Sequence, residues 1–300
     1  MKLRIATRKS ALALVQAESV KALLQAHYPD LEIDLVGAVT EGDQIQDRSL
    51  AEIGGKGLFI KKLEELLLAD QADIAVHSLK DVPPALDAVF CLAAVLPRHS
   101  PFDVLVSRQQ YSLQTLPQGA KIGTGSVRRR AALLHIRPDL NIEMIRGNVD
   151  TRLKKLDAGE YDALVLAEAG LRRLGLDERV TTVLTPESCL PSVGQGVVAI
   201  ECLQQRADLH TLLRPLNHPE TEACICAERA MNAALGASCT SPVGSFAQIK
   251  EGLLTLKGAV WSLDGQQYCE TVQAGPLDQA IALGERAAVD LQFEGVYGSL

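Results

Sequence analysis

One stretch of this chain is written twice. HYPDLEIDLV, starting at His27, returns as IRPDLNIEMI, starting at Ile136, with Pro-Asp-Leu in step and apolar residues alternating after it. In both copies the proline closes a helix, and the alternation that follows has the period of a half-buried strand. The upstream residues agree. Residues 3–7 form a short β run, Arg8-Lys9-Ser10 a turn, and residues 11–26 a helix with apolar positions at Leu12, Val15, Val20 and Leu23. Residues 121–124, Gly125-Ser126 and residues 127–136 repeat that order. Downstream, KKLEELLLADQADIAVH from Lys61 resembles RLKKLDAGEYDALVLAE from Arg152, each a helix running into a strand. A βαβ-type unit copied twice restricts the chain to an α/β architecture of two lobes, each built on one copy.

The rest of the chain is placed around those copies. Residues 1–96 form lobe 1, and residues 97–120 are a Pro-containing connection into lobe 2, which ends at 196. The Gly/Pro-rich residues 191–196 are the return crossing, and residues 197–202 are a strand back in lobe 1, whose second part spans 197–215. Residues 218–300 change character. A helix at 219–235, strands at 243–249, 253–261 and 267–272, and a helix at 277–291 make a small α+β domain.

Three hundred residues with 47% hydrophobic and 22% charged side chains suffice for such cores. No apolar run approaches the roughly 18–20 residues of a membrane span, and Arg4, Arg8 and Lys9 interrupt the N-terminus where a secretory signal would be apolar. The expectation is a cytoplasmic protein with no membrane partner. A net charge of −7 and 4% aromatics argue against a nucleic-acid partner. Seven cysteines, an odd number without scaffold spacing, are expected as free thiols, most of them small buried hydrophobes.

Against that acidic background the positive charge is concentrated. Arg8, Lys9, Arg128, Arg129, Arg130, Arg146 and Arg152 fall at strand-to-helix turns, where open α/β sheets bind ligands and helix N-termini offer N–H groups to anions. Arginine forks suit carboxylates and phosphates. A phosphate loop is not present: Gly54-Gly55-Lys56-Gly57 has the wrong spacing. Residues 41–57 read as a polar loop, either a lid that brings Lys56 to a ligand or a segment without chemistry. His77-Ser78-Leu79-Lys80-Asp81-Val82-Pro83 follows the strand at 74–76. Asp81 there is a carboxylate for charge stabilisation or proton transfer, or only one half of a solvated pair. Cys239, in LGASCTSPVG from Leu235, is a thiol on a helix-to-strand turn: a nucleophile, an attachment point, or neither. Cys224 and Cys226 point to different helix faces and lack a companion His pair, so no zinc site is read there and no metal is expected.

Taken together, eight ordered motifs resemble the porphobilinogen deaminase, or hydroxymethylbilane synthase, family: IATRKSALA from Ile5, GGKGLF from Gly54, ADIAVHSLKDVP from Ala72, GTGSVRRR from Gly123, RGNVDTRL from Arg146, SVGQG from Ser192, AERAMN from Ala227 and SCTSPVGSFA from Ser238. The resemblance implies two lobes like those of periplasmic binding proteins, with mixed sheets, plus the small C-terminal α+β domain. It implies a monomeric transferase of haem and porphyrin biosynthesis that condenses four porphobilinogen molecules into hydroxymethylbilane and releases ammonia. It also implies a dipyrromethane cofactor attached covalently through Cys239. By the same resemblance Asp81 is the catalytic carboxylate. Lys80, Asp81, Thr124, Ser126, Arg128, Arg129 and Arg146 bind the cofactor. Arg8, Lys56, Arg146, Arg152 and Arg173 bind substrate. Ala11, Gly125 and Ala237-Ser238 depart from the family's common Pro, Ser and Gly-Gly, removing no group the chemistry needs. The competing reading is a non-catalytic two-lobe binding protein for a small dicarboxylate, which needs neither Cys239 nor Asp81.

Overall fold

The computed structural model describes residues 2–40, 60–238 and 240–293. Their elements, in order, are β1 (Lys2–Arg8), α1 (Ala11–His27), β2 (Glu32–Ala38), α2 (Lys61–Leu68), β3 (Ile74–Ser78) and β4 (Phe90–Val95). Next come β5 (Asp103–Ser107), β6 (Lys121–Gly123), α3 (Val127–Ile136), β7 (Asn141–Glu143), α4 (Val149–Asp157), β8 (Ala163–Ala167), α5 (Glu168–Arg173) and β9 (Thr182–Leu184). The chain ends with β10 (Val198–Leu203), α6 (Ala207–Leu213), α7 (Pro219–Ala234), β11 (Val243–Lys250), β12 (Leu253–Trp261), β13 (Tyr268–Gly275) and α8 (Ala280–Phe293).

The two copies fold alike. One sheet has the order β2-β1-β3-β10-β4, the other β7-β6-β8-β5-β9. In each, three parallel strands are followed by one antiparallel strand, β10 against β3 and β5 against β8. The α/β class with mixed sheets is therefore the one observed, as is the return of residues 198–203 to the first sheet. The register fixes the equivalences. Ile5 pairs with Ile74 and Ile122 with Ala163. One residue earlier on the first strand, the Arg4 N–H donates to Asp73 Oδ2 at 2.8 Å and the Lys121 N–H to Asp162 Oδ2 at 2.7 Å. Both aspartates return the bond, each N–H donating to the partner's carbonyl at 2.9 Å. Ser10 and Ser126 cap their helices in the same way, each Oγ accepting the N–H three residues on at 3.4 Å.

Two expectations need correction. The connection at 97–120 contains β5. Its DVLVS run is a central strand buried throughout, so it lacks the alternation that marks a half-exposed one. In α1 the core face is Ala13, Ala17, Val20 and Leu24, whereas Val15 and Leu23 are exposed.

Two compact units result. The first holds the described residues up to 40, 60–99 and 197–222; the second holds 100–196 and 223–293. In the second, the antiparallel sheet β11-β12-β13 packs on α7 and α8 around Met231, Leu254, Leu256 and Leu291. Ala259 and Trp261 of β12 join the core of β5, β6 and β8, and His135 stacks on Tyr268 with centroids 4.9 Å apart. Gly265 closes that seam. Its φ is +75°, and a Cβ there would stand 2.7 Å from the Ala131 carbonyl oxygen.

Candidate active site

In the first unit the site grows from the end of β3. Leu79–Asp81 is a single 3-10 turn, held by the Leu79 N–H donating to Val197 O on the β10 side and the Val82 N–H donating to Leu79 O, both at 3.0 Å. Leu79 is buried, which fixes the turn and leaves Lys80 and Asp81 half-buried on its other side. Asp81 Oδ2 lies 3.6 Å from Arg8 Nη1, an ion pair between two strand ends. Gln16 on α1 and Ser78 exchange hydrogen bonds at 2.9 and 3.1 Å. Arg8, Ser10, Gln16, Ser78, Lys80 and Asp81 line a cavity of about 80 Å³.

Beneath this turn lies a buried polar pair absent from the sequence reading. His77 Nε2 and Glu201 Oε2 are 2.8 Å apart, and both side chains are inaccessible. Glu201 Oε1 has no hydrogen-bond partner among the described residues. Glu64 of α2 joins them. Burial, with the Glu201 charge, pushes its carboxyl up to about 7 despite the opposing pull of His77. Each of these residues stands in an apolar run or on an amphipathic helix, where sequence gives no sign of which face turns inward.

In the second unit the cations gather at the start of α3. Thr124 is buried, and its Oγ1 accepts the Ser126 N–H at 3.3 Å. Arg128 and Arg129 are buried too, their exposures 4% and 6%, so neither is a solvated surface charge. Asp103 bridges them: Oδ2 accepts from Arg128 Nη2 and Oδ1 from Arg129 Nη2, each at 2.7 Å. Gln195 Nε2 adds a bond to Asp103 Oδ1 at 2.9 Å, and Arg129 Nη1 one to Val165 O at 3.1 Å. Burial alone would raise the Asp103 carboxyl; the two guanidiniums outweigh it and hold the group well below the carboxylate range. Neither Asp103 nor Gln195 is a sequence candidate by itself, although Gln195 stands in SVGQG and Asp103 opens the apolar run of β5.

The remaining candidates occupy the same unit. Arg146 follows β7 and is half-buried; Arg152, in the first turns of α4, donates from Nε to Gly147 O at 2.7 Å. Arg173 donates from Nη2 to Gly196 O at 2.8 Å, and burial pushes its guanidinium down. Glu228 of α7, fully buried, accepts the Gly194 N–H and the Ala247 N–H at 2.8 Å each, tying 191–196 to β11. After α7 the chain turns at Gly236, φ +63°, and Ser238 and Thr240 share a 2.8 Å hydroxyl contact. Cys239 itself, and Lys56 with the whole 41–57 loop, lie outside the described residues.

Both charged clusters lie in stretches of the chain that match known proteins. A profile of the porphobilinogen deaminase dipyromethane cofactor binding domain matches residues 3–211, and one of the porphobilinogen deaminase C-terminal domain matches 222–292. The chain belongs to the porphobilinogen deaminase family. It is 51% identical to the porphobilinogen deaminase of Chromobacterium violaceum over 290 residues, 97% of this chain and 94% of that one. It is 48% identical to that of Neisseria meningitidis serogroup A and 50% identical to that of Bordetella parapertussis, each over 98% of this chain and 94% of the relative. As a porphobilinogen deaminase the chain is a transferase, condensing four porphobilinogen molecules into the linear tetrapyrrole hydroxymethylbilane with loss of ammonia. Both charged clusters fall in the part that matches the cofactor-binding domain.

Proposed function

We propose that this chain builds its tetrapyrrole on a dipyrromethane attached through Cys239, with Asp81 stabilising positive charge and the cations around α3 holding carboxylates. The observation that carries the reading is the charge count in the second unit. Asp103 spends both oxygens on two guanidiniums, so one positive charge is left over, and the buried Arg128 Nε has no hydrogen-bond partner among the described residues. That surplus, beside the N-terminus of α3, fits a ligand bearing carboxylates. Each porphobilinogen carries an acetate and a propionate.

When bound, a dipyrromethane supplies the pyrrole carbon to which the first substrate is joined. Thr124, Ser126, Arg128, Arg129, Arg146 and Lys80 hold its carboxylates. Arg8, Arg152, Arg173, Arg146 and Lys56 hold those of arriving substrate. Asp81 offers a fixed negative charge to the ring that becomes cationic as ammonia leaves, and accepts from pyrrole N–H groups. Its half-buried turn and the 3.6 Å spacing from Arg8 support that role: the carboxylate is oriented without being saturated. The enzyme works as a cytoplasmic monomer on a small-molecule substrate, without nucleic acid or membrane. No helix among the described residues is long and apolar enough to cross a membrane.

Intact mass tests the assignment. Wild-type protein carries the increment of one dipyrromethane; Cys239→Ser and Arg128→Leu, both checked for folding, show the bare chain. An adduct on Cys239→Ser places the attachment elsewhere. Full loading of Arg128→Leu makes the arginine cluster purely structural.

A further inference from the structure

At the far end of β10 from the Asp81 turn, three metal-ligating side chains converge. Val198 pairs with Ser78 at one end of the strand, and Cys202 pairs with Cys91 of β4 near the other. Cys91 Sγ and Cys202 Sγ are 3.7 Å apart, and His210 Nε2 of α6 is 3.5 Å from Cys91 Sγ. All three atoms lie within 4.8 Å of one another, the only such group of His, Cys, Asp or Glu among the described residues. The sequence hides it: the residues stand 111 and 119 positions apart.

The spacings of Cys91 from Cys202 and from His210 are those of a coordination polyhedron. Bonds of about 2.3 Å to sulfur and 2.0–2.1 Å to nitrogen at tetrahedral angles separate two sulfurs by about 3.8 Å and a sulfur from a nitrogen by about 3.5 Å. Two thiolates and an imidazole select a soft or borderline ion and exclude calcium and magnesium. We infer that Cys91, Cys202 and His210 form a zinc site, with water in the fourth position. Binding exchanges protons for metal: Zn²⁺ displaces one proton from each thiol, and no electron moves. The imidazole binds through Nε2 as the tautomer protonated at Nδ1, so Nε2 gives up its 3.3 Å contact with the Gln204 carbonyl oxygen. Cys202 is fully buried, while Cys91 and His210 are half-buried and admit the ion. A bound ion cross-links β4, β10 and α6 without touching the turn that carries Asp81. It therefore stabilises the first unit and leaves turnover unchanged.

The experiment uses reduced holoenzyme stripped with a chelator and titrated with Co²⁺, then back-titrated with Zn²⁺. One cobalt per chain, a thiolate-to-cobalt charge-transfer band and the strong visible bands of tetrahedral cobalt are expected, all abolished by Zn²⁺. His210→Ala, on a half-exposed helical position that tolerates truncation, and Cys91→Ala each weaken binding by more than the roughly 10–100-fold that changes outside the ligand shell cost. Zn²⁺ raises the melting temperature of wild type and not of either variant, at equal turnover. The site is refuted by reduced wild type that takes up no cobalt, by a spectrum unchanged in His210→Ala, or by a Cys91–Cys202 disulfide forming in protein that binds no metal when reduced.

Discussion

The two lobes share a backbone and invert its polarity. Where the first unit buries His77 and Glu201, the register places Leu166 and Val106 in the second; where Glu64 stands half-buried on α2, Leu153 stands on α4, and all three second-unit residues share one apolar cluster. Where the second unit buries Asp103, Arg128 and Arg129, the first has Val198, Leu12 and Ala13. Each lobe thus carries an ionisable trio, fully buried only in the second, on the side where the other is apolar. Asp81, too, has no counterpart: Gly170 stands at its place in α5. What both lobes keep are backbone devices, the serine caps and the Asp73 and Asp162 clamps. The two copies share what makes the sheet, and each strand end carries a different charge: a half-buried carboxylate in the first unit, a buried surplus of cations in the second.

The largest effect is expected from breaking the second lobe's trio. Asp103→Asn leaves two buried guanidiniums facing no carboxylate. Removing one partner of a buried ion pair typically costs about 3–5 kcal/mol, so denaturant unfolding should show a loss of that size. Asp103→Asn within about 1 kcal/mol of wild type would mean that solvent reaches the arginines, and the inversion between lobes would be superficial.

Breaking the first lobe's site should cost activity rather than stability. The Asp81–Arg8 pair is partly exposed, with side-chain exposures of 29% and 19%, and pairs of that kind contribute about 0–1 kcal/mol. Turnover is another matter: removing a preorganised electrostatic group costs about 10²–10³-fold. Single-turnover ammonia release from porphobilinogen should fall by that factor in Asp81→Asn, and by less in Asp81→Glu, which keeps the charge. Near-wild-type release by Asp81→Asn makes Asp81 a structural loop residue. A large stability loss would instead make the two lobes alike.

The repeat was legible because its markers are local. Pro29 and Pro138 end their helices wherever the chain goes, and α3 begins and ends at the residues expected. The strand β5 was not legible, since a central strand has no alternation to read. Site residues divide the same way. Motifs single out Arg128, Arg129 and Asp81 as candidates, but that both arginines are buried against Asp103 could not be read from them. Burial of a charge depends on which partner the fold brings, 25 or 26 residues away here. Glu64 shows the limit most plainly: in KKLEELLL it is one more exposed helical charge, and only the sheet beneath makes it otherwise.

Glu64 also offers the smallest and sharpest test of the comparison. Its carboxyl is raised by burial to about 7, against an ordinary value of 4.5. A raised carboxyl binds a proton in the folded state that the unfolded chain has already released. Between pH about 4.5 and 7 the native state therefore holds more protons, and stability falls as pH rises through that window. The full shift would correspond to about 3 kcal/mol. Glu64 is only half-buried, and screening by water reduces the expected loss to about 1 kcal/mol. Glu64→Leu, which copies Leu153 of the other lobe, removes the titrating group, so its urea midpoint should change less between pH 5 and pH 7.5 than that of wild type. Equal pH slopes would show that Glu64 ionises as freely as a surface glutamate. The polar trio of the first lobe would then reduce to the His77–Glu201 pair.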